Sequence, residues 1–349
     1  MKKGKQKILV ALSGGVDSAV TLFLLKKQGY LVEAAYMKNF SERINIKGSC
    51  PWREDREEAY RVATKLNVPM HTFDFQKEYH DRIVDYIFET YRLGQTPNPD
   101  VLCNNEIKFK LFLEKAHKMG FDKIATGHYA QVKRNKKYYH LIRGKDSTKD
   151  QSYFLAGLEQ WQLARALFPV GGLLKSEVRK IARRAHLPNA QRPDSQGICF
   201  IGKIKLADFL AQKIKPKKGD IVDIKGRKLG EHRGVWFYTI GQRHGLNIGG
   251  SGPWYVAKKD IRKNRLVVAK ITDPELYVNA VKVSGWHWVA ESYKLPLKTS
   301  AQIRYRQEPQ KCVVYKNKVD FVAPQKGVAS GQTIALYKKN KLIASANVF

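Results

Sequence analysis

The sequence predicts an α/β fold followed by β structure: a Rossmann-like, doubly wound parallel sheet, then a small β-rich domain and a C-terminal β-barrel. The first observation is that strand-like and helix-like segments alternate over residues 1–200. The second is that two of the helix-like segments stop at Gly29 and Gly120. The third is a change of pattern after Cys199, where short β-like runs separated by Gly, Pro and Lys turns replace the helices.

Apolar runs and amphipathic periodicity predict the elements of the parallel sheet. The strand candidates are Lys7–Leu12, Tyr30–Met37, Pro69–Phe75 and Asp122–Thr126. The helix candidates are Ser18–Gln28, Glu54–Leu66, Glu78–Leu93, Glu106–Met119, about Asp150–Ala166 and Lys175–Ala185, with a small hairpin over Gln131–Arg143. Because the carboxyl ends of parallel strands share one edge, we expect Ser13–Ser18, the stretch after Met37 and Gly127-His128 on one rim.

Evenly spaced short strands predict small barrels or sandwiches in the rest of the chain. These runs are Ile221–Ile224, Val235–Ile240, Trp254–Ala257, Arg265–Ala269, Ala280–Val289, Thr299–Tyr305, Lys311–Tyr315, Val319–Val322, Thr333–Lys338 and Lys341–Ala346. A break near Asp273-Pro274 separates a middle module from a C-terminal one. We therefore expect domains at residues 1–200, 201–274 and 275–349.

The chain of 349 residues has 64 Lys and Arg against 31 Asp and Glu, a formal net charge of +33. A field of this sign attracts polyanions and favours a nucleic-acid partner. A generally lysine-rich composition would give the same count, so charge alone leaves both interpretations open. No segment approaches the ~20 apolar residues of a membrane span, and no signal peptide is recognisable, so we expect a cytoplasmic protein without a membrane partner.

The run Ser13-Gly14-Gly15-Val16-Asp17-Ser18 directly follows the apolar run Ile8–Leu12. A strand, a glycine turn and a helix start in this order present backbone N–H groups and the positive end of the helix dipole, which suits phosphate. The run lacks the Lys of a Walker loop and does not fit the dinucleotide pattern. Asp17 repels anions, so we expect it to act through a metal ion or to orient the loop. An ordinary serine-glycine turn is the alternative.

The four cysteines have neither the spacing of a structural zinc site nor that of a disulfide scaffold. They are Cys50, Cys103, Cys199 and Cys312, of which Cys312 is interpreted as a packing residue. Cys103 precedes a predicted helix with Lys108 nearby, a setting that lowers a thiol pKa. Asp100 could exchange a proton with a substrate, although its charge opposes thiolate formation. An inert buried thiol is the alternative for Cys103 and Cys199.

Over essentially its whole length the chain resembles the bacterial and organellar tRNA-specific 2-thiouridylases, which belong to the N-type ATP pyrophosphatases. The motifs that carry the resemblance lie in order along the chain. They are Ser13–Ser18, Met37-Lys38-Asn39, Thr96–Phe109, Ala125–Tyr129, Asp146–Phe154, Phe168–Gly171, Asp194–Gly202, Thr239–Arg243 and Arg304–Gln307.

The resemblance implies that the wobble uridine of tRNA, U34, is thiolated at C2 after ATP, with Mg²⁺, adenylates the C2 oxygen. The implied ATP site consists of Ala11, Leu12, Ser13, Gly14, Gly15, Val16, Asp17, Ser18, Met37 and Gly127. Asn98, Pro99 and Asp100 would contact the target base, with Asp100 as the proton acceptor or donor. The family acts on the tRNAs for Lys, Glu and Gln.

The resemblance also implies that Cys199 receives sulfur as a persulfide from a cysteine desulfurase or a relay protein. Cys103 would be the partner nucleophile. In one route Cys103 attacks the persulfide, frees hydrosulfide and leaves a transient Cys103–Cys199 disulfide. In the other, the persulfide attacks C2 directly and Cys103 resolves the product. Both routes need a reductant, and the sequence leaves both open.

Several positions match tRNA contacts of the family, and each has an ordinary structural alternative. They are His128, Lys149, Asp150, Gln151, Arg304, Tyr305 and Gln332. Lys149–Gln151 could cap a helix, His128 could close its strand, and Arg304-Tyr305 could be a strand pair. Since C2 of the uridine lies within the stacked anticodon loop, the base must leave the stack to react.

Two other functions stay open from the sequence alone. The same ATP site could adenylate another tRNA base or a small metabolite, or the chain could be an RNA-binding protein with an inactive catalytic domain. The two thiols in matching contexts argue against the first. The presence of Asp17, Asp100, Cys103 and Cys199 argues against the second.

Overall fold

The computed structural model describes residues 6–40, 52–194, 206–249 and 252–349. Cys50 and Cys199 lie outside the described residues, and with them the predicted persulfide site. Among the residues described, no helix is both long enough and apolar enough to cross a membrane.

Five parallel strands form the sheet of the N-terminal part, in the order β3-β2-β1-β4-β7, which confirms the predicted doubly wound fold. The strands of this part are β1 (Lys7–Ala11), β2 (Leu31–Lys38), β3 (Met70–Asp74), β4 (Lys123–Ala125), β5 (Ala130–Arg134), β6 (Tyr139–Arg143) and β7 (Ala166–Leu167). Strand order reverses between β1 and β4, the position where such sheets bind ligands.

Alternate residues of β1 enter different apolar cores. Ile8 and Val10 pack into one cluster, whereas Leu9 and Ala11 pack into the other. This separation follows from the two-residue period of a strand, and it requires helices on both faces of the sheet.

The helices that cover the sheet and line the site alternate with these strands. They are α1 (Val16–Lys27), α2 (Trp52–Lys65), α3 (Gln76–Tyr79), α4 (Asp85–Arg92), α5 (Pro99–Cys103), α6 (Phe112–Lys118), α7 (Gln160–Leu163), α8 (Lys175–Arg184) and α9 (Leu206–Leu210). The π-helical segments His80–Val84 and Asn104–Leu111 join α3 to α4 and α5 to α6.

One predicted helix is wrong, and another begins earlier than predicted. The helix expected over Asp150–Ala166 is a 3₁₀ turn at Ser152–Leu155, the short α7, and then β7, which pairs with β4. Asp150 accepts the Ser152 N–H at 3.1 Å, and this local bond starts a tight turn instead of a long helix. The helix expected from Glu106 begins at Pro99, because proline suits the first helical position.

The second half confirms the β-rich prediction. Its strands are β8 (Gly219–Asp223), β9 (Lys228–His232), β10 (Tyr255–Asp260), β11 (Arg265–Ala269), β12 (Tyr277–Trp288), β13 (Leu297–Gln302), β14 (Gln310–Val314), β15 (Lys318–Lys326), β16 (Thr333–Lys338) and β17 (Lys341–Val348). The strand predicted at Val235–Ile240 is wrong: a 3₁₀ turn forms there, and Asn264 Oδ1 accepts the Val235 N–H at 3.2 Å.

Strands β8–β11 form one small sheet, and β12–β17 form a six-stranded antiparallel barrel that the β12–β17 pairing closes. The β5–β6 hairpin belongs to the N-terminal part of the chain but pairs with this barrel, since Leu342 of β17 pairs with Leu141 of β6. Cys312 is buried in the barrel, and burial raises the pKa of its thiol to about 12, as expected of a packing residue.

Candidate active site

The loop between β1 and α1 requires glycine at position 14. Gly14 has φ +80°, a left-handed conformation, and a side chain there would overlap the carbonyl oxygen of Asp55. The loop backbone is therefore held against α2 without an intervening side chain.

Two side chains donate hydrogen bonds to the carbonyl of Gly14. Asn189 Nδ2 donates to Gly14 O at 2.9 Å, and Arg192 Nη1 donates to it at 3.1 Å while also pairing with Asp55. The Ser18 hydroxyl accepts the Ser13 N–H at 3.2 Å and donates to Gly15 O at 2.9 Å. No side chain caps the described N-terminus of α1, so its first-turn N–H groups suit an anion.

Asp17 orients the loop by linking α1 to the start of α8. Lys175 Nζ lies 2.7 Å from Oδ1 and 2.8 Å from Oδ2 of Asp17, and the Tyr129 hydroxyl donates to Oδ1 at 2.8 Å. Burial raises the pKa of Tyr129, and the charge of Asp17 raises it further. Of the two roles that the sequence left open for Asp17, these contacts favour orientation of the loop.

Lys175 extends this network to Asp194. Lys175 Nζ, Lys149 Nζ and Arg179 Nη2 each lie 2.7 Å from a carboxylate oxygen of Asp194. Burial alone raises the pKa of Asp194, but the hydrogen bonds from Lys149 and Lys175 outweigh it and hold the pKa far below its usual range. Asp194 therefore stays ionised beside the loop.

Of the other residues expected on the rim, Gly127 lies beside the loop. A side chain at Gly127 would lie 2.7 Å from both Asp17 C and Ser18 N, so β4 meets α1 through a glycine. Met37 is buried near the end of β2, the other strand paired with β1. The rim prediction is confirmed for Gly127, whereas the stretch after Met37 lies largely outside the described residues and stays a prediction.

His128 is enclosed rather than exposed. Its ring packs 5.8 Å from Phe109 and 6.0 Å from Phe168, and Nδ1 lies 2.6 Å from the Thr126 hydroxyl. Burial, with a further contribution from Lys108, lowers the pKa of His128 well below its ordinary value. The imidazole is therefore neutral, and its contact with tRNA stays a prediction.

A cavity of about 320 Å³ brings together five of the predicted contact residues from opposite ends of the chain. They are Asn98, Pro99, Asp100, Tyr305 and Gln332. The rest of the lining includes two aromatic rings, Tyr153 and Phe154, that were not assigned a role from the sequence. The tertiary structure thus joins residues that are more than two hundred positions apart.

Helix α5 places a carboxylate and a thiol on one face. Asn98 Oδ1 accepts the Val101 N–H at 3.4 Å as the helix cap, and Pro99 occupies the first helical position. Asp100 lines the cavity, and Cys103 follows it by one turn, which puts both on the same side of the helix. Cys103 is fully buried, and it lies past the first turn rather than ahead of the helix as predicted.

The three domains of the chain match three consecutive family models. A tRNA methyl transferase HUP domain matches residues 6–203, a tRNA methyl transferase PRC-barrel domain matches 207–270, and an aminomethyltransferase beta-barrel domain matches 278–348.

Curated relatives match over nearly the same span. The tRNA-specific 2-thiouridylase MnmA of Alkaliphilus oremlandii is 45% identical, covering 95% of this chain and 93% of the relative. The tRNA-specific 2-thiouridylase MnmA 2 of Aliarcobacter butzleri is 46% identical, covering 97% of this chain and 96% of the relative. The tRNA-specific 2-thiouridylase MnmA of Shouchella clausii is 43% identical, covering 98% and 96%. The chain belongs to the tRNA-specific 2-thiouridylase family.

The C-terminal barrel forms hydrogen bonds with the segment that leads into α5. Gln332 Nε2 donates to Thr96 O at 3.0 Å and to Pro97 O at 2.7 Å, and the Thr96 N–H donates to Ser330 O at 2.8 Å. The Tyr153 hydroxyl donates to Thr333 O at 2.8 Å and accepts from Asn98 Nδ2 at 3.2 Å. The cavity therefore depends on the contact between the barrel and the N-terminal domain.

Other predicted tRNA contacts are used within the protein. Asp150 is buried and accepts from Arg143 Nε at 2.7 Å and from the Gly144 N–H at 2.9 Å. The Gln151 side chain accepts the Tyr129 N–H at 3.0 Å, and Lys149 binds Asp194. Arg304 donates to the carbonyl of Lys326 at 2.9 Å. These contacts favour structural roles for Asp150 and Gln151, and tRNA contact by all four residues stays a prediction.

Sequence reasoning missed the residues that hold the loop and line the cavity. Tyr129 and Phe154 lie inside motifs that carried the family resemblance, and Lys175 is the first residue of α8. Asn189 and Arg192 precede the motif that contains Cys199. The position of Tyr129 and Phe154 within those motifs was the available signal, but side-chain type alone did not indicate which partner each would meet.

Proposed function

We propose that this protein thiolates C2 of the wobble uridine of tRNA, using ATP to adenylate the C2 oxygen and a cysteine persulfide as the sulfur source. Membership of the family makes the chain a tRNA-uridine 2-sulfurtransferase. The observation that carries the proposal is the cavity, which joins Asp100 and the helix of Cys103 to a basic C-terminal barrel. Adenylation converts an oxygen that uracil cannot release into a leaving group.

The loop of Ser13–Ser18 supports the ATP half of the reaction. Gly14 has its carbonyl fixed by Asn189 and Arg192, and the N–H groups at the start of α1 suit phosphate oxygens. Mg²⁺ bound to ATP would neutralise charge on the phosphates as pyrophosphate leaves. Asp17 already holds Lys175, a cation placed beside the same loop.

Helix α5 supports the steps of the reaction that take place on the target uridine. Asp100 lines the cavity and is the group we assign to proton exchange with the uracil during activation. Cys103 lies one helical turn further on and is assigned as the partner of the Cys199 persulfide. Whether the persulfide or freed hydrosulfide attacks C2, the bond from C2 to the adenylated oxygen breaks and AMP leaves. The sulfane sulfur enters at C2, and the Cys103–Cys199 disulfide that closes either route needs two electrons from a reductant.

Nucleoside mass spectrometry tests the proposal. Unmodified tRNA for Glu is incubated with the protein, ATP, Mg²⁺, a cysteine desulfurase and cysteine, and then digested. We expect a 2-thiouridine peak that requires ATP. If tRNA stimulates pyrophosphate release and no thiolated nucleoside forms, a different base or a missing sulfur relay is indicated.

The cysteines offer a matched set of variants. Cys199→Ser is expected to abolish thiolation while tRNA-dependent pyrophosphate release continues, since adenylation precedes sulfur transfer. Cys103→Ser is expected to stop multiple turnovers. Cys312→Ala serves as the control, because its thiol is buried in the barrel core. Normal thiolation by Cys199→Ser would contradict the persulfide assignment.

A further inference from the structure

We propose that Phe154 is a base-stacking residue of the cavity, with its ring, backed by Tyr305, forming the wall on which the target uracil lies. This inference rests on the proposed function, because that function identifies the occupant as a pyrimidine base. The observation that carries it is a pair of aromatic rings contributed by two domains, with centroids 4.3 Å apart and planes 39° from parallel.

The turn that contains Phe154 is anchored by the burial of its other residues, and Phe154 is its most exposed member. Ser152, Tyr153 and Leu155 of the same 3₁₀ turn are almost completely buried, whereas Phe154 is half-buried and lines the cavity. The Tyr153 hydroxyl ties the turn to both Asn98 and the barrel. An aromatic ring held in this way lies in the cavity without a further loss of side-chain freedom on binding.

The segment that carries Tyr305 is held by side-chain amides on either side of it. Gln307 Oε1 accepts the Ile303 N–H at 3.1 Å, and Gln307 Nε2 donates to Gln325 Oε1 at 2.8 Å. Arg306, between Tyr305 and Gln307, has φ +64°, so the chain reverses sharply there. The guanidinium of Arg306 lies 5.3 Å from the Tyr305 ring. The second ring of the pair is thus set in place before any ligand arrives.

The lining of the cavity has the two kinds of group that a flipped base requires. One kind is a flat aromatic wall, which stacks on any base through its π face. The other is a set of polar groups that includes Asp100 and Asn98, which can meet the edge of a base stacked on that wall.

Photocrosslinking of the wild-type protein tests the placement directly. A tRNA for Glu that carries 5-iodouridine at the wobble position is irradiated in complex with the full chain, and the crosslinked peptide is sequenced by mass spectrometry. We expect the crosslink at Phe154 or Tyr305. A crosslink confined to other segments would overturn the proposal.

Kinetics with substituted protein test the energetic role. Phe154→Leu is expected to lower kcat/KM for tRNA by roughly 10- to 100-fold, the usual effect of removing one base-stacking ring. Phe154→Tyr and Phe154→Trp should restore activity to within a few-fold of wild type, and the affinity for ATP should not change in any of them. Tyr60→Leu, which removes an exposed ring on α2, is the matched control.

The outcomes separate this inference from the proposed function. A crosslink at Phe154 in a protein that produces no 2-thiouridine would support the base pocket and contradict the reaction. Normal thiolation kinetics for a folded Phe154→Leu would overturn the stacking role and leave the reaction intact. If Phe154→Leu fails to fold, the position of the crosslink in the wild-type protein still decides.

Discussion

The loop of residues 11–18 is formed by consecutive residues between one strand and one helix, whereas the cavity beside α5 is lined by segments from both halves of the chain. The loop presents backbone groups, and its side chains serve mainly to hold the backbone in place. The cavity presents side chains: a carboxylate, an amide cap and a pair of aromatic rings.

This difference separates two ways of building a site. A backbone site can be recognised from a short motif, because glycine positions and a strand-loop-helix order already determine where N–H groups point. A side-chain site depends on the docking of domains, here through the bonds from Gln332 and Tyr153 across the boundary with the barrel. The two should therefore fail independently when mutated.

The largest effect is expected at the loop. Gly14→Ala places a Cβ against Asp55 in a left-handed conformation, so the loop must shift and the phosphate site is lost. We expect ATP-dependent pyrophosphate release to fall by at least about 100-fold, roughly 3 kcal/mol of transition-state stabilisation. Gly172→Ala is the control, since nothing lies within 4 Å of its Cβ position. Equal pyrophosphate release by both variants would contradict the backbone site.

At the cavity, Gln332→Glu keeps the shape of the side chain but removes the donor to Thr96 O and Pro97 O. We expect kcat/KM for tRNA to fall by about tenfold while the affinity for ATP is unchanged, because only the barrel contact is weakened. Steady-state kinetics and ATP titration measure the two quantities. Gln310→Glu, on β14, is the control. A matched loss of ATP affinity would mean that the two regions are coupled.

The network beside the loop should make a smaller contribution to stability, dependent on pH. Asp194→Asn removes the ionic partner of Lys149, Lys175 and Arg179 and should lower the free energy of unfolding at pH 7 by about 1 kcal/mol. The pKa of Asp194 is lowered in the folded protein, so its contribution is present above the unfolded pKa of about 3.9 and is lost as pH falls below it. Urea unfolding at pH 7, 5 and 3 should show that the difference in the free energy of unfolding between the wild type and Asp194→Asn becomes smaller only at pH 3.

At pH 7 the smallest effect on stability is expected at His128. Its pKa is lowered in the folded protein, so below the unfolded pKa of about 6.5 the unfolded chain binds a proton that the folded chain excludes. The free energy of unfolding of the wild type should therefore decrease relative to His128→Asn as pH falls from 8 to 5.5. The slope should not exceed about 1.4 kcal/mol per pH unit. If the free energies of unfolding of the wild type and His128→Asn depend on pH in the same way across this range, the pKa of His128 is not changed by folding.

Elements with strong periodicity could be predicted, and locally determined exceptions could not. Four of the five strands of the parallel sheet and the first helices lie close to their predicted places. Their apolar runs and glycine stops are local signals that each lie within one segment of the sequence. The helix expected over Asp150–Ala166 failed because the Asp150 carboxylate competes for local N–H groups, a choice that composition does not reveal.

The sequence by itself determined the fold class and the strand-loop-helix order over residues 7–27, and it singled out the segment around Asp100 and Cys103, because each is encoded in consecutive residues. The tertiary structure decided which distant side chains meet: Lys175 at Asp17, Gln332 at Thr96, and Phe154 at Tyr305. The last two pairs depend on how the hairpin β5–β6 joins the barrel and brings it against α5, whereas the first lies within the N-terminal domain. Local propensity contains no information about that docking, which is set by the packing of whole domains.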